Sequence, residues 1–296
     1  MRSGKRNDSS SKSLDSVKEV FYANFKNFDE LGSAFCLMQD GQVLLDLKAG
    51  PVAVRSEKTW SDQTLVNIWS TTKGIVATCY CVLVSRGLIS YQDNVSTYWP
   101  EFGVNNKAEI TIGDLLSHKA GLAALHDGAT CRELLSASAV DSLAKASPLW
   151  NPSQTSGYHI LTFGPLVTEL FRRIEGRSIK KYVEQEFLIG RGWDIHIGLP
   201  EEREADAAKI AVSETLDLSV RENASELQQR VLCNVCGTFS SRALTLAFTR
   251  VLNFTCIAIS SKALLLFVVA FMAIDFDSQS SLLSFSSFSA QSSTSR

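Results

Sequence analysis

The stretch Trp69-Ser70-Thr71-Thr72-Lys73 places a serine three residues ahead of a lysine, at the head of an apolar run. On a helix, residues i and i+3 share a face. In a first turn the Ser70 hydroxyl would lie near unpaired backbone N–H groups and the positive end of the helix dipole. That end favours an alkoxide and disfavours a charged lysine, and burial of Lys73 would push in the same direction. A neutral lysine beside a serine can take its proton and make it a nucleophile. The plainer reading is an N-capping serine and a surface lysine, and the spacing alone decides nothing between them. A second stretch, Ser156-Gly157-Tyr158-His159, follows a loop punctuated by Pro148 and Pro152 and precedes an apolar helix. Tyr158 there either aims its phenol into a cleft, as a proton carrier, or packs at a helix start.

The rest of the composition narrows the field. The chain has 296 residues, 45% of them hydrophobic and 20% charged, which are values of a globular protein. Its formal net charge of −2 offers no basis for a nucleic-acid partner. Seven cysteines, scattered and odd in number, argue against a disulfide framework and for a reducing compartment. Cys233 and Cys236 form a lone CxxC, read as two partly buried thiols. The four histidines have no metal-binding spacing, so no metal and no cofactor is expected. His126 and His196 show no partner pattern. Arg172 and Arg173 beside Glu169 and Glu175 read as a solvated helix face.

The elements that would position Ser70, Lys73 and Tyr158 can be sketched. Residues 1–18 read as a disordered tail without a signal-peptide core, consistent with a cytoplasmic or mitochondrial protein. A short amphipathic helix is expected over 19–31. Asp40-Gly41 between two apolar runs predicts a hairpin with strands near 33–39 and 42–48. Residues 70–87 predict a buried helix stopped by Gly87. Further helices are expected in 110–121, ending at Gly121, and over 131–145, from 161 to 176 with Pro165 in its first turns, and over 178–188. The run 263–274 is too short to cross a membrane; extended back to Val251 it is long enough, but Lys262 then lies inside it. The Ser-rich end reads as low complexity.

Taken together, these stretches resemble the serine β-lactamase-related family: class C β-lactamases, penicillin-binding proteins and related serine esterases. LGSAFCLMQDGQVLLDLKAG resembles its opening hairpin, IWSTTKGIVAT its nucleophile helix and ITIGDLLSHKAGL its L-L-x-H-x-x-G-L loop. SGYHILTFGPLVTELFRRIEGRSI resembles its tyrosine motif, with IHIGLPEEREADAAKI and, more weakly, CGTFSSRALTLAFTRVLN following in order. The resemblance implies an α/β fold of the α+β type: an antiparallel sheet flanked by helices, plus a helical subdomain. It implies a serine hydrolase acting on a small-molecule ester or amide through an acyl-enzyme on Ser70. Lys73 and Tyr158 would move the proton, and the Ser70 N–H would be one oxyanion donor. Many relatives carry Y-x-N; Ile160 stands at the third position here, and His159 after the tyrosine becomes the candidate substrate contact. The missing amide weakens a β-lactamase reading more than an esterase one. His118 is expected to be structural.

The resemblance runs over about residues 20–253, so the domain is drawn at 19–253, with 254–296 as a non-family tail. No K-T-G or H-G-G type third motif stands after residue 211. The expectation is therefore a chain lacking the family's C-terminal strands, with an impaired oxyanion hole and a hairpin left with an open edge and an uncovered apolar face. The alternative function is an inactive binding or scaffold protein.

Overall fold

A computed structural model of the chain describes residues 9–28, 30–125, 131–210 and 257–260. Helix α1 (Ser9–Asn27) begins ten residues earlier than the sequence suggests, so residues 9–18 are helical rather than part of a tail. No glycine or proline stands between Lys5 and Leu31 to stop the helix from extending backward from its anchored end. The anchor is aromatic. Phe21 is buried, with its ring edge-on to Phe25 and Tyr22 at 5.6 and 5.2 Å.

Strands β1 (Ser33–Gln39) and β2 (Gln42–Ala49) form the expected hairpin. Asp40 and Gly41 both take positive φ, 50° and 75°, which is the left-handed pair that a two-residue turn of matching twist requires. A bulge between Leu37 and Met38 shifts the register. Helix α1 lies against β2 and Leu45 is buried, but Phe35, Val43 and Leu44 stay exposed. Among the described residues no third strand pairs with this hairpin.

The main core is helical. After strand β3 (Leu65–Asn67) and a 3-10 turn over Trp69–Thr71 comes α2 (Thr72–Ser85). Its residues Ile75, Cys79, Tyr80 and Leu83 are fully buried. It ends as the sequence predicts. Gly87 (φ 68°) donates to the Val84 carbonyl and Leu88 to that of Leu83, the paired bonds of a Schellman stop. Short helices α3 (Val95–Tyr98) and α4 (Ile112–Leu116) follow, the second opened by a capping box between Thr111 and Asp114. Helix α4 stops at Leu116, short of Gly121, because His118 turns into the left-handed region at φ 63°. The single helix expected over 131–145 is two, α5 (Cys131–Leu134) and α6 (Ala139–Lys145). At the break, the Ser136 hydroxyl donates to the Glu133 carbonyl, a local bond that competes with the helix ladder.

Helix α7 (Phe163–Glu175) carries Pro165 in its first turn and buries Phe163, Leu166, Val167, Leu170 and Phe171, the stripe of an amphipathic helix. The Tyr80 hydroxyl donates to the Val167 carbonyl at 2.6 Å, and the Tyr80 ring meets Phe171 edge-on, locking α2 to α7. Helix α8 (Ile179–Val183) is capped by Ser178 and runs into a wider π turn over Glu184–Ile189. Two elements escape sequence reasoning because they are three residues long: β3 and β4 (Ile195–Ile197). Between them lies β5 (Ile257–Ser260), antiparallel to both. This strand falls inside the segment read as a tail, and a strand paired on both edges does not fit a helical span over 251–274. Among the described residues no helix is long and apolar enough to cross a membrane. The segment searched for the third motif before Ile257, the pair Cys233 and Cys236, and His126 lie outside the described residues.

Candidate active site

Ser70 is held from behind. The Asn67 side chain, at the end of β3, accepts the Trp69 N–H at 2.9 Å, and the Thr71 N–H reaches the Ile68 carbonyl. Trp69 adopts φ 48°, a left-handed backbone that a bulky residue rarely takes. The turn delivers Ser70 exposed, one residue ahead of Thr71, so that its N–H falls outside the intrahelical ladder. Lys73 then stands in the first turn of α2, half-buried rather than enclosed by the apolar helix. Its Nζ donates to Ser70 Oγ at 3.2 Å and to the Ile160 carbonyl at 3.2 Å. The same Nζ lies 4.9 Å from the Tyr158 ring centroid and 5.7 Å from that of Phe163. The three residues singled out from sequence, Ser70, Lys73 and Tyr158, therefore meet at Lys73 Nζ.

Tyr158 is positioned by its loop. Leu149, Ser153 and Gly157 donate their N–H groups to the carbonyls of Gly121, Lys119 and His118, stitching this loop to the one after α4. Ser153 Oγ adds a bond to Asp114, the capping-box carboxylate. The Tyr158 ring stands edge-on to His118 at 4.8 Å.

His159 is not a substrate contact. It is fully buried, and both ring nitrogens are committed to backbone: Nδ1 to the Gly157 carbonyl at 2.6 Å and Nε2 to the Leu122 N–H at 3.0 Å. These partners assign the neutral tautomer with its proton on Nδ1. Burial pushes its pKa down to about 4. His118 accepts the His159 N–H on its own Nδ1 at 3.2 Å, and its pKa is lowered by burial and then by the Lys73 charge. The two histidines form a neutral brace behind Tyr158, as expected for His118 and contrary to the expectation for His159. His196 has a partner that its sequence context hides: Asp194 at 2.7 Å, itself held by Arg203.

A cavity of about 670 Å³ opens beside Ser70 and Lys73. Val76, Val167, Ile179, Ile197 and Leu199 give it mainly apolar walls, and Ile160 lines it as well. The described residues contain no cluster of three or more side chains able to hold a metal ion. Sequence reasoning missed three contributors. Asn67 left a weak trace, as a short polar residue at a strand end; the Ile160 carbonyl and the ring of Phe163 left none.

Ser70 and Lys73, three residues apart at the head of α2, and the Tyr158 ring from a separate loop thus make up the candidate site. The Beta-lactamase family model matches residues 21–226, and the chain belongs to that family. It is 35% identical over 170 residues to "Esterase/beta-lactamase LipL" of Mycobacterium tuberculosis, a match covering 57% of this chain and 39% of that protein. The structure of EstA from Arthrobacter nitroguajacolicus superposes with a TM-score of 0.68 at 28% identity, over 84% of this chain and 65% of that one. A penicillin-binding protein homologue from Caulobacter crescentus gives 0.63 at 32%, over 68% and 54%. A class C β-lactamase, at 19% identity and 0.63, shares the fold. The chain thus spans well under two thirds of the length of LipL and of the Caulobacter homologue.

Proposed function

We propose that this chain is a serine hydrolase acting on small-molecule esters or amides through an acyl-enzyme on Ser70. The observation that carries the reading is the shared Lys73 Nζ, 3.2 Å from Ser70 Oγ and 4.9 Å from the Tyr158 ring centroid. In the acylation step Ser70 Oγ attacks the substrate carbonyl carbon as its proton passes to Lys73 Nζ, which acts as the neutral amine, with the Tyr158 phenol beside it to relay that proton onward. The negative charge that develops on the carbonyl oxygen faces the Ser70 N–H. The tetrahedral intermediate collapses, and the leaving group departs with the proton returned from the pair. Water then attacks the acyl-serine by the same route in reverse, releasing the acid and restoring the Ser70 hydroxyl. The apolar side chain at Ile160 offers no hydrogen bond to a lactam's amide substituent, so esters are the better fit.

The test is the intact mass after incubation with a fluorophosphonate, for the chain and for Ser70→Ala. A single adduct that the substitution abolishes is expected. Tyr158→Phe keeps the ring against His118 but removes the proton carrier, and a fall of roughly 10²–10⁴ in labelling rate is expected. A folded protein, judged by near-ultraviolet circular dichroism, that takes up no label would overturn the reading.

A further inference from the structure

The cavity does not end at the nucleophile. Its wall follows α7 from Phe163, under Lys73, to Arg172, and the far end is formed with Ser178 and Lys180. Nine residues of α helix advance about 13 Å. An extended chain advances roughly 1.2 Å per bond, so that length accommodates roughly ten bonds beyond the carbonyl attacked by Ser70. Between the two ends the walls are apolar, and a chain with a polar middle would lose its hydration there without replacement.

The far end differs from the middle in charge. Glu169 takes the Arg172 guanidinium through two bonds at 2.8 and 2.7 Å and is shared with Arg173, so its charge is already met. Lys180, exposed at the same rim, makes no ion pair among the described residues. A ligand that fills the cavity from Ser70 would therefore bring its end beside the exposed Lys180 ammonium.

We propose that the site selects esters of medium-chain acids, about eight to ten carbons long, whose far end carries a carboxylate that meets Lys180. This rests on the reading of Ser70 as the nucleophile. The ester's acyl group transfers to Ser70 Oγ as the alcohol leaves with a proton. Water then supplies the oxygen and hydrogen that release the free dicarboxylate.

Mono-p-nitrophenyl esters of succinic, suberic and sebacic acids, set against the acetate, octanoate and decanoate esters, test this. Higher kcat/KM for the eight- and ten-carbon esters than for the short ones, by about tenfold, is expected. Reversing the charge with Lys180→Glu is expected to lower the ratio of kcat/KM for sebacate over decanoate about fivefold, mainly through KM, whereas Lys180→Arg keeps the ratio. Turnover of acetate without a chain-length preference, or an unchanged ratio in Lys180→Glu, would overturn the proposal. If no ester is turned over, the Ser70 reading fails by itself. Calorimetry of monomethyl sebacate with Ser70→Ala then decides separately: saturable 1:1 binding weakened by Lys180→Glu sustains the cavity's selectivity, and no binding refutes it.

Discussion

Acid should loosen this protein at one histidine. The His159 ring is buried and neutral, with Nδ1–H donating to Gly157 and Nε2 accepting from Leu122. A second proton would go to Nε2, leaving two N–H donors facing each other and a charge without water. Its folded pKa of about 4, against an ordinary 6.5, expresses that cost. The folded state binds this proton less readily than the unfolded chain. The contribution to stability is therefore fully present above pH 6.5 and is lost as pH falls from there toward 4. The difference corresponds to ~3 kcal/mol. Urea unfolding followed at pH 7.5, 6.5, 5.5 and 4.5 measures it. His159→Gln, whose amide oxygen can still accept from Leu122 but does not titrate in this range, should be less stable at pH 7.5 yet show a shallower slope. Equal slopes for the two proteins would refute the assignment of a buried neutral imidazole. His118, lowered in the same direction, adds a smaller dependence of the same sign.

Two further outcomes follow from closely packed groups elsewhere in the fold. Lys107 is fully buried and donates to the Val104 and Ala146 carbonyls at 2.8 and 2.5 Å, above the Phe102 ring. Lys107→Met keeps the stem but orphans both carbonyls, and a loss of about 2 kcal/mol in the urea midpoint analysis is expected; an unchanged midpoint would contradict the bonding described. Gly157→Ala sets a methyl 2.4 Å from the Trp150 ring, so the loop must shift next to Tyr158. A destabilisation of about 1–3 kcal/mol is expected, with slower fluorophosphonate labelling; labelling at the original rate would show that Tyr158 tolerates the shift.

Much of this arrangement is legible from residue order alone. Asp40-Gly41 announces its own turn chemistry, and the apolar patterns around α2 and α7 are long enough to mark both helices. Ser70, Lys73 and Tyr158 are recognisable because their motifs occur in a known order. What stays hidden is set by partners distant in sequence. The Leu122 N–H that fixes His159 lies 37 residues away, so a histidine beside the tyrosine reads as a ligand contact when it is a brace. Lys107 sits in the polar string Asn-Asn-Lys-Ala-Glu, which looks solvated, and only the carbonyls closing over it make it core. Strands β3 and β4 are too short to show a period, and β5 is recognisable only through them.

The left-handed backbone of Trp69 has a bearing on how this protein can change over generations. A non-glycine residue held there costs on the order of 1–2 kcal/mol, and Trp69 also walls the cavity beside Ser70. Glycine at that position would relax the turn, yet it would also free the segment that presents the serine and strip away one wall. Selection for thermal robustness and selection for turnover therefore pull this codon in opposite directions.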